Sequence, residues 1–175
     1  MNVVRWVERK FEFTIPVTLF PGVVERLRGA PARLEDKLRG VPSEVLTRRD
    51  GDRWSAQEHA GHLVDLDELH SGRLDDFLAG AKTLRSWETT NRRTYEANYN
   101  AKPVEEILAA FRKERGAFVK RLEEWKDGDL AKTAIHPRLQ QPMRVIDMAL
   151  FVAEHDDHHL AMMSELLRRF GTRRT

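Results

Sequence analysis

The sequence predicts an all-α four-helix bundle. Three observations carry that prediction. Four stretches repeat apolar residues at helical spacing, each roughly 20–29 residues long and bounded by start and stop signals. Glycine, at 10 residues, and proline, at 7, are sparse, which suits long helices better than a turn-rich sandwich. No convincing strand hairpin is present, and the only strand-like run is Thr133 to His136. Helices that each carry one apolar face are best buried against one another.

The first helical stretch carries Leu19, Phe20, Val23, Val24 and Leu27, then Leu34, Leu38 and Val41. Gly29-Ala30-Pro31 interrupts it, and Pro31 either opens a new helix or kinks a continuing one. Pro42 ends it. The mixed residues before it read as a short extension or a packed arm. The second helix opens on Ser55-Ala56-Gln57-Glu58, a capping box with Trp54 placed to staple it. It should run to about Ala79, stop at Gly80, and face inward through Leu63, Leu66, Leu69, Leu74, Phe77 and Leu78.

Residues 81–102 set Trp87, Tyr95 and Tyr99 among polar neighbours. A structureless loop of that length is unusual in a compact fold, so part of it should be helical or cover one end. The third helix begins near Pro103, with Glu105 and Glu106 suited to its opening turns. Ile107, Leu108, Phe111, Phe118, Leu122 and Trp125 form its stripe, and Gly128 ends it. Its basic residues at 112, 113, 115, 120 and 121 alternate with glutamates and read as a solvated face. The fourth helix should start near Pro142 and run to about Phe170, with Val145, Met148, Ala149, Val152, His155, His159, Met162, Met163 and Leu166 inward. Gly171 marks its stop, and Arg168 and Arg169 suit its last turn.

Composition narrows the function. The 175 residues match one domain, expected over 1–175, and 41% hydrophobic content can build a real core. A net charge of +2 creates no field that gathers polyanions. With no cysteine, disulfides, thiolate metal sites and cysteine nucleophiles are excluded. The longest apolar run, Met148 to Ala153, is far short of the ~20 residues a bilayer needs. Charges break up the N-terminal residues before any signal-peptide core forms. The expectation is a cytoplasmic protein that engages neither membrane nor nucleic acid. There is no glycine-rich phosphate loop, zincin motif or nucleophile elbow. Glu58-His59 and Glu154-His155 are adjacent pairs, not the Glu-x-x-His repeats of a di-iron bundle.

The histidines carry the chemistry. There are seven, and three fall in Glu154-His155-Asp156-Asp157-His158-His159. His155 and His159 are four apart on a helix, so their side chains stack on one face. That spacing lets two imidazoles hold one metal ion. His62, in register with inward positions of the second helix, is the best third ligand. Three imidazoles leave a further position for water or substrate, the pattern of a catalytic rather than a closed site. The same residues also read as buried core histidines beside solvent-facing ones. His158 should lie at the rim, and His59 in a structural or outer position. His70 should be exposed. His136 either lines the mouth of the site or holds a turn. Asp65 and Glu68 can orient an imidazole or accept a proton, or stand as solvated helix charges.

The segment Trp54-Ser55-Ala56-Gln57-Glu58-His59-Ala60-Gly61-His62-Leu63, the Pro103-to-Trp125 helix and His155-Asp156-Asp157-His158-His159 together resemble the DinB-like superfamily, across nearly the whole chain. The resemblance implies a four-helix bundle binding one divalent metal, zinc or nickel, through His62, His155 and His159, and a homodimer. Members include YfiT-like metal-dependent hydrolases and enzymes that use a low-molecular-weight thiol, among them maleylpyruvate isomerases and S-transferases. The expected function is activation of such a thiol, or of water, for attack on a small electrophile. The alternative is a non-enzymatic protein whose metal stabilises it, or a small-ligand or stress-response protein. Solvent access to the metal position separates the two.

Overall fold

The computed structural model describes residues 3–171. Among these residues eight α-helices and one hairpin follow in order: α1 (Phe20–Arg28), α2 (Ala30–Leu38), α3 (Ser43–Leu46), α4 (Ala56–Asp65), α5 (Asp67–Leu78), α6 (Arg92–Glu96), α7 (Val104–Glu123), β1 (Thr133–His136), β2 (Gln141–Arg144) and α8 (Val145–Phe170). The successive pairs α1/α2 and α4/α5 each form one long, stepped rod. Both rods pack against α7 and α8, which makes the four-helix bundle.

Each step has a local cause. Pro31 sits in the first turn of α2, where its missing N–H costs nothing, and Gly29 forms the joint. The second rod breaks at Leu66 alone, which stays near helical geometry (φ −87°, ψ −9°), so the predicted helix over 56–79 is present with one offset. Its start is the predicted capping box. Ser55 Oγ accepts from the Glu58 amide at 3.1 Å, and Glu58 accepts from the Ser55 amide at 2.9 Å. Ser55 Oγ also donates to Asn100 at 2.7 Å. Ser55→Ala is expected to cost about 1 kcal/mol, read as a lower urea midpoint at unchanged slope. Gly61, one turn on, lies under the Tyr99 ring, and a Cβ there would overlap it.

Three expectations are corrected. Thr133–His136 is a real strand, paired antiparallel with Gln141–Arg144 in register Thr133 to Arg144. The helical bundle therefore carries a small hairpin. Pro142 lies in that second strand rather than at a helix start. The helix begins at Val145, where Asp147 accepts from the Arg144 amide at 2.9 Å and takes over the capping. Leu78 is 62% exposed, because the buried stripe of α5 runs through Asp67, His70, Leu74 and Phe77 instead.

The core is in two parts. One cluster gathers Leu27, Leu74, Phe118, Met148 and Val152; the other gathers Leu34, Leu63, Phe111, Leu160 and Met163. On α7, Arg115 stands between Phe111 and Phe118; on α8, His155 and Asp156 stand between Val152 and Leu160. A buried polar layer thus crosses the bundle between two apolar halves, and the histidines lie in it.

Candidate metal centre

His155 and His159 project from consecutive turns of α8, and α4 packs against α8 to bring His62 to them. Each of the three offers a ligand nitrogen, and these atoms lie within 4.8 Å of one another. The Nε2 atoms of His155 and His159 are 3.1 Å apart. Two nitrogens on one tetrahedral ion, each at ~2.0–2.1 Å from it, stand about 3.3–3.4 Å apart, so the pair is spaced as a metal would hold it.

The hydrogen bonds determine the tautomer of His62 and are compatible with the same tautomer for the other two. Thr94 Oγ1 donates to Asp65 at 2.7 Å. Its single proton is then used, so at 3.1 Å it accepts from His62 Nδ1–H. His62 therefore presents a bare Nε2. His159 Nδ1 lies 2.8 Å from His59 Nδ1 and can donate to it, which leaves its own Nε2 bare as well. His155 Nδ1 is buried without a partner, so Nδ1–H and bare Nε2 are open to it too. Three Nε2 lone pairs can face one point, and this donor set fits a borderline divalent ion. An imidazole must be neutral to bind a metal, and burial favours that form here. Burial, then the neighbouring His59 and His158, lowers His62 to about 3. Burial and the clustered imidazoles hold His155 and His159 well below their usual range.

The other expected residues sort as follows. His59 orients His159, and Trp54 packs on both His59 and His62, with ring centroids 5.5 and 4.6 Å away. Asp65 anchors Thr94 and also accepts from Tyr99 at 2.7 Å. His158 lines the cavity beside the cluster and touches Trp6. His136 does both things expected of it. Its Nδ1 accepts from the amides of Arg138 and Leu139 at 3.2 and 3.1 Å, and its ring lines the cavity. Glu68 takes the second of its two expected roles, a solvated helix charge: its side chain is 79% exposed and pairs with Arg93 at 2.5 Å on the outer face. His70 is a correction, only 2% exposed and 6.0 Å from the His155 ring, since it occupies the inward stripe of α5.

Beside the cluster lies a cavity of about 620 Å³, into which His62, His155 and His159 face. The N-terminal residues form one wall, and Trp6 stacks edge-on against His155 at 4.9 Å. Arg9 ties this arm to Glu154 on α8 at 2.5 Å. Leu66, Leu69, Trp87 and Phe151 supply apolar surface.

Arg115 is a further correction: expected on a solvated face, it is 0% exposed and binds Asp67 at 2.7 Å and Asp156 at 2.8 Å. Its spacing from Phe111 and Phe118 is that of a core position, and this was the available signal. One guanidinium faces two carboxylates, so burial dominates. It raises Asp67 to about 7 and Asp156 to about 6 despite the attraction of Arg115. The two carboxyls do not share full ionisation at neutral pH. The network braces α5, α7 and α8 directly behind the histidines.

A helical bundle that gathers three neutral imidazoles at the wall of a cavity defines a class, the bundle proteins with a histidine cluster suited to one divalent ion. The chain belongs to the DinB superfamily, whose sequence profile matches residues 26–163. No curated protein matches the chain in sequence. Among solved structures it is similar to YfiT from Bacillus subtilis, a probable metal-dependent hydrolase with an unusual four-helix bundle topology, at TM-score 0.75 and 21% identity, covering 94% of each chain. It is also similar to a protein of Streptococcus pneumoniae, at TM-score 0.65 and 9% identity, again covering 94% of each chain. At these identities the likeness is one of fold. Among the described residues, no helix is long and apolar enough to cross a membrane.

Proposed function

We propose that His62, His155 and His159 hold one divalent ion, zinc or nickel, and that the site activates a low-molecular-weight thiol or water for attack on a small electrophile. The observation that carries this reading is the convergence of three neutral imidazoles, within 4.8 Å, on the wall of a cavity large enough for a substrate. A purely structural site would be sealed, and this one is open on the cavity side. When bound, the ion would supply Lewis acidity that lowers the pKa of a coordinated water or thiol. The chain has no cysteine, so a thiol nucleophile would enter as cosubstrate.

The protein's own residues would do the rest. Thr94 and Asp65 keep His62 in the Nδ1–H tautomer. His59 would do the same for His159 by accepting from its Nδ1–H. Trp6 and Trp54 pack the imidazoles in place and keep bulk water off them. Thr94→Val removes the acceptor of His62 Nδ1–H and is expected to weaken metal binding roughly 10–100-fold, as loss of an outer partner does elsewhere. Competition with a chromogenic chelator reads this directly. An unchanged affinity would remove Thr94 and Asp65 from the site.

The two core clusters on either side of one polar layer support reading residues 1–175 as one domain around this site. A cytoplasmic homodimer acting on a small molecule, not on nucleic acid, belongs to the same proposal. Its test is the divalent-metal content of gently purified protein, followed by thiol-transfer and hydrolysis assays with the ion found. Failure to take up zinc, nickel or manganese on incubation would overturn it. The non-enzymatic alternative predicts stoichiometric metal but no turnover with either nucleophile.

A further inference from the structure

The cavity has a second chemical end. Arg73 on α5 and Arg138 in the hairpin turn both line it, and neither has a carboxylate partner among the described residues. Arg73 is 2% exposed, and its only acceptor among the described residues is the Arg85 carbonyl, which Nε reaches at 3.2 Å. Both Nη groups lack an acceptor among the described residues. Asp76, the acid whose charge reaches Arg73, is already held by Arg85 at 2.8 Å. Arg138 donates to the Val7 carbonyl at 3.3 Å, and its Nη2 is buried with no partner. His136 adds a third donor. Its Nδ1 accepts two amides, so its proton sits on Nε2, which is buried and unpartnered.

No aspartate or glutamate among the described residues lines this cavity. Buried cations without counter-charge are costly, and proteins keep them where a ligand supplies the charge. The cost is visible here: burial, with Arg138 and Arg85 nearby, lowers Arg73 to about 10. Burial, then Arg73 and Arg138, lowers His136 to about 3, which places these three groups in one field.

We infer that Arg73, Arg138 and His136 form a subsite for the carboxylate of an organic acid, whose carbon skeleton lies along Leu69, Trp87 and Phe151 toward the histidine cluster. This inference rests on the proposed function in that it names the substrate class of the same cavity. Guanidinium forks pair bidentately with a carboxylate or a phosphate. The carboxylate is favoured here because a phosphate site also draws on backbone amides, and the two at hand, of Arg138 and Leu139, are taken by His136.

The test uses metal-free protein in chelator, so that no ion can hold the probe. Benzoate, its neutral analogue benzamide and inorganic phosphate are titrated calorimetrically at fixed ionic strength. Benzoate is expected to bind roughly tenfold or more tightly than benzamide, the worth of a charge-assisted hydrogen bond, and more tightly than phosphate. Arg73→Gln is expected to remove that preference and leave benzamide binding and zinc stoichiometry unchanged. Equal binding of benzoate and benzamide, or an Arg73→Gln variant that keeps the preference, overturns the inference. Phosphate binding more tightly than benzoate overturns the carboxylate assignment. Should Arg73→Gln fail to fold, Arg138→Gln and the wild-type contrast decide. A wild-type protein that takes up none of zinc, nickel and manganese would refute the metal reading and leave the benzoate result standing.

Discussion

His155→Ala is expected to weaken zinc binding by more than about 100-fold, beyond the 10–100-fold carried by outer partners. His155 contacts His159 through Nε2 at 3.1 Å and stands 5.4 Å from the His62 ring, so it links the cluster. Two readouts check the result without any activity assay. Elemental analysis should find wild-type protein loaded and the variant empty. Zinc at about 100 times its dissociation constant should stabilise the wild type by about 2.7 kcal/mol and leave the melting temperature of the variant unmoved. A variant that still gained stability from zinc would sink the assignment. The imidazoles also set a pH dependence. Their folded-state pKa values lie below the ordinary 6.5, with His62 and His59 near 3 because of burial. The folded protein therefore binds fewer protons than the unfolded chain as pH falls. The stability they confer is present above pH 6.5 and lost as pH drops toward 3. Metal-free protein should unfold across that window, and zinc should shift the transition to lower pH.

Arg115→Met is expected to destabilise the protein by about 3–5 kcal/mol, because it leaves Asp67 and Asp156 buried without their cation. For a chain of this size that corresponds to a fall in melting temperature of roughly 6–20 °C. The loss should depend on pH, and its sign follows from the raised carboxyls. A carboxyl whose folded pKa is raised contributes stability that is complete below its unfolded value, near 3.8, and is lost as pH rises through about 6 to 7. Removing Arg115 raises both further. The gap between variant and wild type should therefore be small at pH 5 and larger at pH 8, in thermal melts at both values. A pH-independent gap would mean that Arg115 acts by packing on Phe111 and Phe118, whose rings lie 5.1 and 5.4 Å from its guanidinium.

Much of the bundle is written in local signals. The Ser55–Glu58 capping box, the Pro31 joint and the Gly171 stop act within one or two turns, so the residues alone announce them. The His155–His159 pair is local in the same sense, since helix geometry by itself puts them on one face. His62 needed more, and its inward register in the second helix supplied it. Arg115 and His70 depart from the sequence expectation for one reason: their side chains are polar, yet they occupy core positions. Arg115 sits in the stripe with Phe111, Phe118 and Leu122, and His70 in the stripe with Leu74 and Phe77. Polarity argued for solvent, and only a partner on another helix reverses that. The hairpin was missed for a related reason. Thr133–His136 is too short to declare itself, and it is made by pairing with Gln141–Arg144 and by Thr83 bridging to Ile135.

Helix positions, their caps and the stacked histidine pair thus follow from neighbours in the chain, because hydrogen bonds and sterics over a few residues decide them. Burial of charge depends on distant residues. Asp67, Arg115 and Asp156 come from three helices, and Arg73 and Arg138 meet one cavity from a helix and a turn. No local pattern encodes such meetings, because desolvation and charge pairing are properties of the packed interior. The same packing makes the polar layer, sets the His62 tautomer through Thr94, and gives the cavity a cationic end with no acid among the described residues that line it.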